Sequence, residues 1–163
     1  MRSPGWPAAL HDELMHWHRE EAGGGARLRS GPHQLTALPP GDGQPDAAWR
    51  HVGTPFPEVL KAVWRHHDGI GVSGDARAPV VAPALWPAAA ARPLSATVRF
   101  GENDILFEPA AWWWVVALPD GGWCIDGAGR VALWHPQSHQ LGPPLDIEAM
   151  WKGLAAAWAA LRA

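Results

Sequence analysis

Nine histidines and sixteen carboxylates are the side chains most able to do chemistry in this 163-residue chain. Their spacing decides what that chemistry can be. A helical zinc site needs two imidazoles on one face, four residues apart, with a carboxylate between them as general base. His11 and His16, with Asp12 and Glu13 between them, are five apart; on a helix they point about 140° away from each other. His16 and His18 diverge by about 160°, and His11 and His18 share a face but sit about 10 Å apart along the axis. His66 and His67 are adjacent, and Pro136 stands between His135 and His139. No set of these converges, so the sequence predicts structural or surface histidines, no metal and no cofactor.

The nucleophiles fare no better. Cys124, the single cysteine, lies between Trp123 and Ile125. A thiol inside such a strand is a small buried hydrophobe whose pKa is raised. A lone cysteine also excludes an internal disulfide and fits a reducing compartment. Gly71-Val72-Ser73-Gly74 lacks the second spacer of a nucleophile elbow, and no glycine-rich loop carries a phosphate-binding lysine. Asp68 and Asp126 are conceivable as a carboxylate pair, but each stands at an element end near glycine, which suits turn or cap service better. Trp112-Trp113-Trp114 offers stacking surfaces without the cations that nucleic acid requires. The expectation is a protein that is not an enzyme and binds no nucleic acid.

The elements that must position these residues centre on Trp112 to Leu118, a short run apolar in both alternating phases. Trp112, Trp114, Val116 and Leu118 should face one way and Trp113, Val115 and Ala117 the other, as in a central strand covered on both sides. Pro119-Asp120-Gly121-Gly122 is turn chemistry, Trp123 to Asp126 a returning strand, and Gly127-Ala128-Gly129 a second turn before a strand over Arg130 to His135. Upstream, Ala96 to Phe100 alternates as a half-buried strand, and Gly101 to Asp104 turns it into Ile105 to Glu108.

Helices are expected at three places. Pro7 opens one in which Leu10, Leu14, Trp17 and Glu21 follow at near-helical spacing until Gly23-Gly24-Gly25. Thr54 and Pro55 start a second, whose stripe of Phe56, Val59, Leu60, Val63, Trp64 and His67 ends at Asp68-Gly69. Asp146 caps the third, which carries Ile147, Met150, Trp151, Leu154, Trp158 and Leu161 on one stripe. Between the first two, Ala26 to Gln44 reads as a long loop or a peripheral strand; after the second, Ile70 to Asp75 reads as a loop and Val80 to Ala82 as a short strand.

Charge is distributed unevenly. Residues 1 to 65 hold seven acidic and seven basic side chains, whereas residues 66 to 150 hold nine acidic against four basic. The β-rich half is therefore the acidic half of a chain whose net charge is -3, either a solvated face or a docking face for a basic partner. No apolar run approaches the ~20 residues of a membrane span. With Arg2 the only early cation, no secretory leader and no membrane association are expected, and the protein should be cytoplasmic.

The run from Trp112 to Leu118, Gly122, Asp126, Gly129, Val131 and the helix after Asp146 resembles the second half of the SUKH superfamily. Phe56-Pro57-Glu58-Val59-Leu60 and His67-Asp68-Gly69 resemble its earlier helix and its polar-Gly ending. The superfamily contains bacterial immunity proteins and a fungal cell-wall-synthesis regulator. The resemblance implies an α+β single domain: a SUKH-like core over 54–163, an antiparallel-rich sheet of about 5 to 6 strands flanked by helices, and residues 1–53 as an N-terminal extension of the same domain. It implies a cognate protein toxin as partner, basic and encoded next door, met by a monomer or weak dimer. Contacts are expected at Glu102, Asp104, Glu108 and Asp120 on the sheet periphery, with Trp86 and Asp75 in neighbouring loops, while Asp68, Gly69, Asp126 and Gly129 serve the fold. An intracellular scaffold or regulatory module is the second reading, and a small-molecule enzyme or sensor built on His66, His67 and a Trp-lined pocket the third.

Overall fold

The computed structural model describes residues 7–23, 25–30, 33–41, 57–73, 83–94, 112–138 and 140–162. Among the described residues ten strands form one open antiparallel sheet and three α-helices lie against it. In chain order the elements are α1 (Ala8–Met15), β1 (His18–Ala22), β2 (Gly25–Ser30), β3 (His33–Ala37), α2 (Glu58–His66), β4 (Ile70–Ser73), β5 (Ala84–Leu85), β6 (Arg92–Pro93), β7 (Trp112–Leu118), β8 (Gly121–Asp126), β9 (Val131–His135), β10 (Gln140–Leu141) and α3 (Ile147–Leu161). The spatial order is β1-β2-β3-β4-β5-β7-β8-β9-β10, with β6 also pairing with β7. Two meanders are thus joined through β5, whose two residues bridge Ile70 on one side and Ala117 and Val116 on the other.

All three helices share one apolar cluster with one phase of the strands. Leu10 from α1, Leu60, Val63 and Trp64 from α2, and Met150, Trp151, Leu154 and Trp158 from α3 pack with Leu28, Leu35, Ile70, Leu85, Trp113, Trp123, Ile125 and Val131. A smaller cluster on the opposite face holds Leu94, Trp112, Cys124, Ala132 and Trp134, with Trp114 and Leu141 against it. The β7 run is therefore covered on both sides. Its two phases are not the simple alternation expected from the sequence, because the register with β8 jumps between Trp114 and Val116. This β-bulge sets Val115 and Val116 both on the helix side, where Leu118 follows, and leaves Trp112 and Trp114 on the open side.

The sequence undercounts the strands, ten against about five to six, mainly before residue 74. The expected first helix ends at Met15, and Trp17 folds back so that its indole donates to Glu13 Oε1 (3.2 Å). Arg162 donates to both oxygens of the same buried carboxylate, which ties α1 to the end of α3. Beyond that turn the chain enters β1, and the segment expected as a long loop or a peripheral strand supplies two strands, β2 and β3, which pair in register from Ala26↔Ala37 to Ser30↔His33. Residues 70–73, also expected as a loop, form β4 against β3. Helix α2 starts at Glu58 after Pro57 rather than at Pro55; Thr54, Pro55 and Phe56 lie outside the described residues, as do the strands expected over 80–82, 96–100 and 105–108. α3 spans Ile147–Leu161, its Asp146 side chain accepting from Glu148 N–H (3.0 Å).

Candidate functional site

On the sheet face turned away from the helices, β3, β4 and β5 form the floor of an open trough of about 310 Å³. Thr36, Gly71 and Ala84 supply small side chains to that floor, and Leu38, Trp86 and Pro87 form its walls. The floor is low because Thr36 pairs with Gly71, and a Cβ added at Gly71 would meet only the Ala84 methyl, at 3.8 Å.

Trp86 is fastened from several distant parts of the chain. Its backbone N–H donates to Val115 O (3.0 Å), one step beyond the Leu85↔Val116 pair of the β5–β7 ladder. Its own carbonyl accepts from Trp64 Nε1 (2.8 Å) in α2. Two residues on, Ala88 N–H donates to Asp68 Oδ1 (2.9 Å), and Gly69 at φ +112° brings its backbone so close to Pro87 that a Cβ there would lie 3.0 Å from the proline nitrogen. The indole of Trp86 packs on Trp114 with ring centroids 5.1 Å apart, and the Arg92 guanidinium lies over its face at 5.3 Å. Trp114 is itself fixed by donation to Val116 O (2.8 Å), its ring lying across Gly122, where a Cβ has no room.

The residues predicted from sequence fall into three groups. Asp68, Gly69 and Trp86 are brought together as just described. Asp126 and Gly129 form a separate turn: Asp126 Oδ1 accepts from the backbone of Ala128 (3.0 Å) and Arg130 (2.8 Å), its Oδ2 accepts from Arg130 Nε (2.8 Å), and Gly129 takes φ +85°. Asp68 and Asp126 thus serve different loops and do not form a reacting pair. Asp120 is exposed in the β7–β8 turn. Asp75, Glu102, Asp104 and Glu108 lie outside the described residues. The trough residues Thr36, Leu38, Ala84 and Pro87 are not marked as a site by the sequence; the one signal beside Trp86 is Gly71 within the run Ile-Gly-Val-Ser, a place where a strand leaves room.

Chemistry at the remaining candidates is constrained. Burial pushes the Cys124 thiol well above its ordinary range, so it stays protonated. His11 lies in α1, His16 at its C-terminal cap and His18 in β1, so the helical angles between them do not apply. His67 donates through Nδ1 to Leu38 O (2.8 Å) and packs edge-on against His66 at 5.2 Å. Burial lowers its pKa, the Leu38 hydrogen bond only partly opposes this, and charge repulsion from the His66 and Arg19 side adds to the lowering. Among the described residues no three His, Cys, Asp or Glu side chains are grouped as a metal would need, and no helix is long and apolar enough to cross a membrane. Compared with models of known families, with curated proteins and with solved structures, the chain gives no match.

Proposed function

We propose that this protein is a non-catalytic binding protein of SUKH type that neutralises a cognate bacterial toxin, encoded next door, by stoichiometric occupation. The observation that carries this reading is the trough beside Trp86, an apolar concavity whose wall is held rigid by bonds from α2, from the residues after α2 and from the β7 bulge. Rigid aromatic anchors in desolvated pockets are where binding energy concentrates in protein interfaces. The polar groups packed nearest to it favour binding over turnover, since Asp68 and the Trp64 indole are spent on backbone hydrogen bonds.

In this reading the protein acts in the cytoplasm as a monomer or weak dimer. Asp120, with Glu102, Asp104 and Glu108, gives a basic toxin its electrostatic guidance, a contribution that acts mainly on association rate. Expression of the neighbouring toxin domain in a bacterial host, with and without this protein, tests the proposal. Growth restored only by co-expression supports it. Growth arrest that persists although both proteins are folded and present refutes it.

A further inference from the structure

The open face of the sheet carries a cross-strand row that runs through the trough. Arg27 on β2 pairs with Thr36 on β3, Thr36 pairs with Gly71 on β4, Gly71 adjoins Ala84 on β5, and Ala84 pairs with Ala117 on β7. Arg27 is exposed at one end of the floor, and at the opposite lip the exposed Arg92 lies over the Trp86 ring. Among the described side chains no ion pair is made by either guanidinium, Arg27 standing opposite Glu20 in the β1–β2 register, and the described lining of the trough contains no charged side chain. A cation at each end of an apolar depression is complementary to a chain that brings an apolar group between negative ones.

We infer that the Trp86 trough docks an acidic protein segment in which one large apolar side chain enters between Trp86 and Leu38 while flanking carboxylates meet Arg27 and Arg92. The inference rests on the binding-protein reading and specifies the chemistry of one segment of the partner. Its volume is at the low end of the ~300–1,000 Å³ typical of small-ligand pockets, and it is an open furrow rather than an enclosed cavity. A furrow of this kind suits one side chain with its backbone, whereas an enclosed pocket suits a free ligand. Arg is the cation fitted to this task, because its planar fork takes a carboxylate through two bonds while its face stays stacked on an aromatic ring. The acidic β-rich half of the chain addresses a basic surface elsewhere on the partner, so the two contacts are of opposite sign.

A phage-displayed random dodecapeptide library selected on the full-length protein tests the inference, with affinities of the enriched peptides then measured by fluorescence anisotropy. The expected sequences place Asp or Glu on both sides of a Trp, Phe or Leu. Gly71→Leu fills the floor, where the nearest group to a new Cβ is the Ala84 methyl at 3.8 Å, and should weaken those peptides by about tenfold or more. Arg27→Glu with Arg92→Glu leaves the floor intact and should weaken them at low salt and less so at high salt; this surface variant carries the test if Gly71→Leu melts early. Basic consensus sequences, no enrichment over bare support, or binding indifferent to both variants would overturn the inference. Dodecanoate is the control for a free amphiphile: if it binds in a Gly71-sensitive way and no peptide does, the occupant is a small anionic molecule and the inference fails. One-to-one toxin binding that survives while peptide selection fails removes only this docking site, whereas failure of the wild-type protein to bind the toxin removes the reading beneath it.

Discussion

Replacing Trp158 by Phe should separate the two contributions that hold α3 to the sheet. Trp158 is fully buried, and its indole N–H donates to Pro83 O at 2.8 Å, joining the last turns of α3 to the residue before β5. Phenylalanine leaves that buried carbonyl without its donor, which costs about 1–3 kcal/mol. It also removes roughly 40 Å³ of ring, worth about 1 kcal/mol at ~24 cal/mol per Å³ of cavity. The sum, about 3 kcal/mol, should lower Tm by about 6–12 °C for a domain of this size. Trp151 is the internal control: it is 1% exposed in the same cluster, and its indole has no hydrogen-bond partner among the described residues. Trp151→Phe should therefore cost about 1 kcal/mol from the volume lost alone. Urea unfolding of both variants, with unchanged slopes, gives the difference directly. Equal losses in the two variants would refute the argument that the Pro83 bond carries a separate share.

Two further outcomes follow from the residues around Trp86. Gly69→Ala puts a side chain at φ +112° and presses it on Pro87, so stability should fall by about 1–3 kcal/mol and the Trp86 indole should become more accessible to a fluorescence quencher; a fully stable variant contradicts the close approach. His67 has its pKa lowered in the fold, mainly by burial. Below about pH 6.5 the unfolded chain takes up a proton that folded His67 resists, so stability is full above that pH and declines below it until the folded imidazole protonates too. Chemical unfolding across that range should show a smaller decline for His67→Gln than for wild type, and an equal or larger decline would contradict the assignment.

The parts of the fold legible in the sequence are those whose signals are local. The β7 to β9 meander announces itself by a run apolar in both phases and by Pro119-Asp120-Gly121-Gly122, and α3 by Asp146 and its Trp stripe. The core-facing stripe of α2 was readable for the same reason, though its start was not. β1 was hidden because His18-Arg19-Glu20-Glu21-Ala22 has almost no apolar residue to alternate, as befits an edge strand, and no Gly or Pro marks the end of α1. Ala26, Leu28, Leu35 and Ala37 do alternate with Arg27, Arg29 and Thr36, but each run is too short to stand out from loop. The bulge at Val115 has no signal in the sequence at all. The bond from Trp86 N–H to Val115 O and the bonds involving Trp64 and Asp68 fix the trough wall through contacts far apart in the chain. Asp68 and Gly69 could be recognised as turn residues, yet nothing local says which loop they hold.

Titration of the purified neighbouring toxin domain with this protein, following the toxin's activity and the heat of binding together, tests the central claim most directly. Activity should disappear at one equivalent, with a calorimetric stoichiometry of one and no chemical change in the toxin. Inhibition that proceeds to completion at a small fraction of an equivalent would mean that the protein turns over, and absence of binding heat with undiminished toxin activity would mean that it is not the toxin's partner.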